Sequence, residues 1–381
     1  MNLPISPMLA FLRQRIVQAQ NWLPFSEYMN SVLYTADLGY YANYKKKLGF
    51  FSKDGSDFIT APELTPLFAQ TLAYALAQTM QENNLQHVLE LGAGSGQLAI
   101  DLLLAWDQQG VDIQQYAIVE VSGLLRQRQQ QNVQKALSAY PHLFKKIIWL
   151  DTLPEKMSGV VLGNEVLDAI PVQLYIRKNS VWYERGISWQ DAQPYLIWQD
   201  RPCVEVPEAL AQLPGTHDYL TETHVRAQAF IRTLADLLER GLMLFIDYGF
   251  PAVEYYHPQR NQGTLMTHYR HQASTDPLLY PGQADLTSHI NFSAIADAMH
   301  QSGLDLIGYT SQARFLLNAG LLTQLSQFDA QDAAHYLPKA RAVQQLMSEA
   351  EMGELFKVIA CTRAIDTHLA GFDKGDRSHT L

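Results

Sequence analysis

One stretch constrains this chain more than any other: the short run His87-Val88-Leu89-Glu90-Leu91, which passes directly into Gly92-Ala93-Gly94-Ser95-Gly96. A brief, nearly continuous apolar run is expected to be a strand buried on both faces. Glycines at 92, 94 and 96 let the backbone turn sharply and come close to a ligand. The helical pattern over 97–106 follows at once, so its N-terminal N–H groups point into the same space. A strand, turn and helix of this kind open a doubly wound α/β sheet, with the ligand at the carboxyl end of the strand.

Two cofactor classes use such a turn. The dinucleotide fingerprint is G-x-G-x-x-G, and the place of its last glycine is taken here by Gln97. The next acidic residue to close a strand, Glu120, lies some thirty positions beyond Glu90, where the dinucleotide pattern expects about twenty. Both departures count against a nicotinamide oxidoreductase. An acid just before the turn and another at the end of the following strand suit S-adenosylmethionine instead. Glu120 is expected to take both ribose hydroxyls in a bidentate hydrogen bond. Glu90 is expected to support the turn or to meet the ammonium at the cofactor's amino-acid end. The bland alternative, a tight βα turn with no ligand, leaves the paired acids unexplained.

The pattern around the turn agrees. Apolar runs at 116–121, 147–150, 159–162 and 242–246 alternate with helical stretches, as in a parallel sheet covered on both faces. The expected fold is therefore α/β: a mostly parallel Rossmann-like sheet, with an N-terminal helical region over 1–83. The cofactor-binding half of the core runs over 84–171. Alternating stretches such as Val181-Trp182-Tyr183 mark an inserted antiparallel region over 172–227. Residues 228–381 supply the rest of the core, with 304–309 and 356–361 as a last strand pair around a helical excursion. A Gln-rich stretch at 127–134 reads as the polar surface of a helix whose buried face is Leu124, Leu125, Val133 and Ala136.

Composition excludes several classes. The formal net charge of −10 and the absence of a basic stripe argue against a nucleic-acid partner; Lys45-Lys46-Lys47 reads as a solvated helix end. The two cysteines, Cys203 and Cys361, have neither zinc-knuckle nor disulfide-framework spacing. No stretch reaches the roughly 20 apolar residues that span a bilayer, so no membrane insertion is expected. The start of the chain lacks the pattern of a signal peptide, and a cytoplasmic location is expected. His268, His271 and His289 do not make the set of about four ligands that a zinc site needs. They read as loop-ordering or substrate-groove residues, and no metal is expected.

Further polar residues fall at the carboxyl ends of the strands. In Gly163-Asn164-Glu165-Val166-Leu167-Asp168-Ala169-Ile170-Pro171, Asn164 and Glu165 are expected beside the methyl donor, with Asp168 one helical turn beyond Glu165. The alternative is a helix N-terminus capped by Asn164. Gly55-Ser56-Asp57-Phe58-Ile59-Thr60-Ala61-Pro62-Glu63 is either a lid over the cofactor or, preferred here, a capping box formed by Thr60 and Glu63. Asp247 and Tyr248, closing the 242–246 strand, are expected to line the acceptor side.

Taken in order, these motifs resemble one family. Tyr28-Met29, Gly39-Tyr40-Tyr41, 57–63, 90–96, 164–171, Asp247-Tyr248-Gly249, 281–287, Phe292-Ser293 and 352–357 together are similar to the MidA family. Its mitochondrial members are complex I assembly factors that act as protein-arginine methyltransferases. The resemblance implies S-adenosylmethionine as cofactor and an arginine of a protein, in a respiratory-chain subunit, as acceptor. A guanidinium acceptor brings a cation to a cationic donor, so carboxylates are needed to offset the repulsion and hold the guanidinium plane. Glu165 and Asp168 are the first candidates, Asp57 and Glu63 the second, with Asp247 on the acceptor side. Glu90, Gly92, Gly94, Gly96, Glu120, Asn164, Thr60 and Glu63 are the expected cofactor-binding residues. Family members commonly read Gly-Pro-Gly-Arg-Gly at the turn, whereas Ala93 and Ser95 stand here. Because the family pattern begins almost at the first residue, no room for a mitochondrial presequence is expected. Two other readings stay open: a non-catalytic cofactor-binding assembly factor, and a small-molecule methyltransferase. The regions 172–227 and 312–354 are large enough for partner or homodimer surfaces.

Overall fold

A computed structural model describes residues 5–42, 60–120, 122–193, 195–270 and 272–381. They form two compact units, one of Met1–Phe58, Asp168–Ala229 and Phe250–Ala294, the other of Ile59–Leu167, Phe230–Gly249 and Ile295–Leu381.

The second unit is built on the strands β1 (His87–Leu91), β2 (Gln115–Val119), β3 (Ile147–Leu150), β4 (Met157–Asn164), β5 (Leu238–Phe250), β6 (Asp305–Ser311) and β7 (Phe356–Arg363). Their order across the sheet is β3-β2-β1-β4-β5-β7-β6. The first five run parallel, while β7 is antiparallel to both neighbours. Buried runs such as Val88–Leu91 explain why β1 belongs at the centre: both of its faces are covered, so neither alternates with polar residues. Strand order reverses between β1 and β4, where Leu91 pairs with Gly163. The chain leaves those two strands in opposite directions across the sheet, which opens a crevice at their carboxyl ends.

Helices cover this sheet through one continuous core. Pro66–Glu82 presents Phe68, Leu72 and Leu76, while Gln97–Gln109 presents Leu98, Leu102 and Trp106. The Trp106 indole donates to the carbonyl of Ala73 at 3.1 Å, so its one polar group is satisfied inside the core. Helices Gln312–Asn318, Leu321–Leu325 and Ala333–Met347 form the excursion between β6 and β7.

The first unit carries helices Pro7–Gln18 and Phe25–Tyr34 against an antiparallel sheet. In that sheet Val181–Trp189 pairs with Gln173–Lys178 on one side and Leu196–Pro202 on the other, and Tyr219–Thr223 extends it. A small second sheet joins Met266–Tyr269 to Gln272–Ser274 and Asp285–Thr287. Leu12, Tyr28, Leu33, Leu174, Ile187 and Leu286 belong to this unit's own core.

Three local expectations are corrected. No helix begins at Asn164: β4 runs to that residue and a series of bends and turns follows, so neither the Asn164 cap nor a helical turn between Glu165 and Asp168 exists. The Thr60–Glu63 capping box does not form either, because the Thr60 side chain makes no capping bond. The helical stretch around Pro62 is broken into Ala61–Leu64 and Pro66–Glu82, with Thr65 accepting from the Leu67 N–H at the start of the longer one. Pro66 explains the break: it disfavours helical geometry at Thr65 and is best placed at the start of a new helix. Of the lid expected over 55–63, residues 55–59 with Asp57 lie outside the described residues, as do Lys45–Lys47 and His271.

Candidate functional site

The turn after β1 has the conformation its glycines anticipate. Gly92, Gly94 and Gly96 have φ of +64°, +53° and +83°, all in the left-handed region. The two that matter most differ in surroundings. A Cβ on Gly92 would come within 2.9 Å of Val166 Cγ2, so that glycine permits a close packing contact. A Cβ on Gly94 would meet nothing within 4 Å, so the backbone there borders open space. Helix Gln97–Gln109 begins immediately afterwards. Gln97, which stands where a dinucleotide site has its last glycine, donates instead to Asp101 Oδ2 at 2.8 Å.

Glu90 lies beneath the turn, 2% exposed, and its Oε2 accepts the Tyr116 hydroxyl at 2.9 Å. Burial raises its pKa to about 7, and the tyrosine bond opposes that rise. Glu120 follows β2. Its Oε1 accepts the Ser122 N–H at 2.8 Å and its Oε2 accepts Gln129 Nε2 at 3.0 Å, which orients the carboxylate.

Gln129 is the residue that sequence reasoning missed. It sits in the helix Gly123–Ala136, inside the Gln-rich stretch read as polar surface, yet it is completely buried. Its amide nitrogen donates to the Gly94 carbonyl and to Glu120, and its amide oxygen accepts the Trp149 indole at 3.0 Å. Asn132, from the next turn of the helix, donates to the Ser95 carbonyl at 3.1 Å. The expected apolar face is therefore corrected: Val133 is buried, Leu124 and Leu125 are partly buried, and Ala136 is exposed. Two amides take the apolar positions because the helix must satisfy the carbonyls of a glycine turn. Composition could not distinguish these amides from their solvent-facing neighbours.

The other side of the crevice comes from the end of β4. Asn164 Nδ2 donates to Glu165 Oε1 at 3.0 Å, while Asn164 Oδ1 is buried and has no hydrogen-bond partner among the described residues. A buried orphan acceptor beside a ligand crevice fits an N–H donor brought by a ligand. Glu165 has φ +53°, unusual for a residue with a Cβ, and its N–H bonds the Ile246 carbonyl at 2.8 Å. Asp247 is nearly wholly buried. Its Oδ2 accepts the N–H groups of Val166 and Leu167 at 3.1 and 2.8 Å, and its Oδ1 accepts the Tyr248 N–H. Its shown contacts thus hold the backbone that follows Glu165. Glu63, on Ala61–Leu64, is bonded by the Ser95 hydroxyl, and burial raises its carboxyl pKa above the ordinary value. The turn position where family members commonly carry arginine is thus occupied by a serine serving that glutamate.

The structure brings Glu63, Glu90, Gly92, Gly94, Gly96, Glu120, Asn164, Glu165 and Asp247 into one unit, with Thr60 on the same unit's chain. Asp168 belongs to the other unit, where its carbonyl accepts the Ser288 N–H at 3.1 Å. His289 and His224 also lie there, His224 Nε2 bonding the His289 carbonyl at 2.9 Å. The open space at Gly94, the orphan Asn164 oxygen and the anchored Glu120 suit a ligand with a polar amino-acid end and a ribose.

Comparison with known proteins agrees with this chemistry. A family model described by S-adenosyl-L-methionine-dependent methyl transfer matches residues 69–310. The crystal structure of a Burkholderia thailandensis protein bound to S-adenosyl-homocysteine superposes with a TM-score of 0.94 at 51% identity, covering 100% of both chains. Protein arginine methyltransferase NDUFAF7 homolog, mitochondrial, of Drosophila melanogaster is 29% identical over 89% of this chain and 81% of its own. The Homo sapiens protein of that name is 27% identical over 94% of this chain and 83% of its own. The cytoplasmic location expected from the sequence is withdrawn, since these relatives are labelled mitochondrial.

Proposed function

We propose an acceptor for an enzyme whose family is known: this chain belongs to the S-adenosyl-L-methionine-dependent methyltransferase family, and it methylates an arginine side chain of a protein. The observation that carries the acceptor is the likeness, over about nine-tenths of the chain, to relatives named protein arginine methyltransferases. The acidic character of the site supports it.

When bound, S-adenosylmethionine supplies a methyl group on a positively charged sulfur, open to in-line displacement. Glu120 would hold the ribose hydroxyls, and the Gly92–Gly96 turn would lie along the cofactor's amino-acid end, with Glu90 beneath it. Asn164 would accept an N–H through its orphan oxygen. Thr60 and Glu63 would border the turn from Ala61–Leu64. Transfer to a guanidinium nitrogen forms an N–C bond, and the nitrogen then gives up one proton. Glu165, locked in a strained backbone conformation, is suited to receive that proton and to align the acceptor. Asp247 acts through the backbone: by holding the Val166 and Leu167 N–H groups it sets the direction of Glu165.

The test is radiolabelled methyl transfer from the purified enzyme to cell lysate, followed by mass spectrometry of the labelled proteins, a subunit of the respiratory NADH dehydrogenase first among them. Methylarginine is the expected product. Label on another residue type, on small molecules only, or on nothing would overturn the acceptor. Glu165→Gln should keep S-adenosyl-homocysteine affinity and lose turnover; undiminished turnover would remove Glu165 from the mechanism.

A further inference from the structure

Glu120 is held by its backbone as well as by its carboxylate, and the backbone hold comes from a side chain not yet considered. The strands β2 and β3 are paired as far as Val119 and Leu150, and Glu120 comes immediately after that last pair. There the Glu120 N–H still reaches the Leu150 carbonyl, at 3.3 Å. Arg126, on the helix Gly123–Ala136, closes the end of the ladder: its Nη2 donates to the carbonyls of Glu120 and Leu150, each at 2.9 Å. A charged donor makes such bonds stronger than a neutral one does. Nη2 also meets Asp151 Oδ1 at 2.8 Å, but the Asp151 side chain is 87% exposed, so water screens that pair and it contributes little. The two carbonyl bonds are what Arg126 adds to the fold.

A separate observation gives those bonds a purpose. Positions 126, 129 and 132 recur every three residues and share one side of the helix. Gln129 holds the Glu120 carboxylate, and Asn132 holds the Ser95 carbonyl in the glycine turn. Glu120 is thus gripped at two points from one element, its carboxylate by Gln129 and its carbonyl by Arg126. Ser122 fixes the start of that element: its side chain accepts the Leu125 N–H at 3.4 Å, while its own N–H donates to Glu120 Oε1. A carboxylate that must take two hydroxyls at once tolerates little rotation, so holding both ends of Glu120 sets its aim.

We propose that Arg126 is a positioning residue for cofactor binding: through the Glu120 and Leu150 carbonyls it fixes the direction in which Glu120 presents its carboxylate to the ribose. This assignment rests on the reading of Glu120 as the ribose-holding acid and adds the residue that aims it. Arginine suits the task because its planar fork is already organised, so one nitrogen can reach both carbonyls with little further ordering.

The experiment uses the whole protein and calorimetric titration with S-adenosyl-homocysteine and with its 2′-deoxy analogue. S-adenosyl-homocysteine carries no sulfonium charge, so the loss of a positive side chain acts on it only weakly. Arg126→Met keeps the apolar stem and removes the donors. Arg126→Lys keeps a charged donor without the fork. Arg128→Met removes the same charge from the same helix, at a position with no hydrogen bond or ion pair among the described residues. Wild type should bind S-adenosyl-homocysteine about tenfold or more tightly than the 2′-deoxy analogue, since the missing hydroxyl leaves a carboxylate bond unmade. Arg126→Met should reduce that ratio severalfold, Arg126→Lys should recover much of it, and Arg128→Met should leave it unchanged. In turnover, Arg126→Met should raise KM for S-adenosylmethionine more than it lowers kcat. A merely structural role would weaken both ligands equally, so an unchanged ratio in folded Arg126→Met would overturn the assignment. If that variant does not fold, Arg126→Gln decides, because its shorter amide cannot serve both carbonyls: the ratio should again fall, and a wild-type ratio would overturn the assignment. The ribose reading of Glu120 fails separately, if wild type binds the two ligands equally. In that case a loss of S-adenosyl-homocysteine affinity in Arg126→Met, recovered in Arg126→Lys, still upholds Arg126 as a positioning residue, and undiminished affinity overturns it.

Discussion

Glu90 provides a sharp test, because its environment sets a sign and a size. Burial raises its pKa from the ordinary 4.5 to about 7, despite the Tyr116 hydroxyl that favours the ionised form. In the unfolded chain the carboxyl gives up its proton near 4.5; in the folded chain it keeps that proton until about 7. The native state therefore binds more protons between those values, and stability must fall as pH rises through that window. Below the lower value there is no penalty, and above the upper value the penalty is complete. At about 1.4 kcal/mol for each tenfold change, the full loss is about 3 kcal/mol. Between about pH 5.5 and about pH 8 the change is about 2 kcal/mol. Glu90→Gln keeps the shape and removes the titration, so the variant should lack this part of the pH dependence. Urea unfolding of the ligand-free protein at both pH values measures it. The wild-type stability, relative to the variant, should drop by about 2 kcal/mol at the higher pH. No drop, or a drop in the opposite direction, would refute the reading of Glu90 as a desolvated carboxyl. The cofactor role adds a second signature: a bound ammonium favours ionised Glu90, so S-adenosylmethionine binding near neutral pH should release protons, measurable by calorimetry in buffers of different ionisation enthalpy.

Other substitutions test other parts of the site. Gly94→Ala should fold, with a backbone penalty of about 1–2 kcal/mol, yet lose at least about tenfold in S-adenosyl-homocysteine affinity by calorimetry. Gly92→Ala adds a clash with Val166 to the same backbone penalty, so its Tm should fall further than that of Gly94→Ala; equal Tm values would contradict the packing described. Gln129→Leu strands the partners of a buried amide and should cost about 1–3 kcal/mol in stability along with cofactor affinity, whereas Gln130→Leu, on the exposed face, should leave both unchanged. Asp247→Ala removes the acceptor for two backbone N–H groups and should depress kcat strongly, with Asp247→Asn retaining more activity because its amide oxygen still accepts; equal activity of the two variants would mean that the capping role is wrong.

How much of this was legible differs from residue to residue. The run 87–91 and the glycines after it could be read directly, because a strand buried on both faces and a left-handed turn each require particular residue types. The antiparallel character of Val181–Trp189 and its neighbours was also visible in their alternation. Gln129 was not, since an amide facing a carbonyl and an amide facing water are the same letter. The segment after Asn164 misled for a similar reason. Its polar residues suit a helix N-terminus, but Asp247 satisfies the N–H groups of Val166 and Leu167 from another strand, and the helix is never needed. Thr60 and Glu63 matched a capping pattern, yet Ser95 engaged Glu63 first. In each case a partner distant in sequence outcompeted the local pairing.

Local sequence alone settled the β1 strand, the left-handed glycine turn and the acidic residues flanking it, because periodicity, positive φ and charge are properties of short stretches. It also pointed to S-adenosylmethionine over a dinucleotide. Only the tertiary structure decided the sheet order that opens the crevice, the Gln129 clamp behind the turn and the orphan Asn164 oxygen. It alone joined the Tyr41 hydroxyl to Asp285, more than two hundred residues further along the chain. Hydrogen bonds and desolvation depend on which groups meet in space, and a buried polar atom takes its role from a partner that its own stretch of chain does not contain.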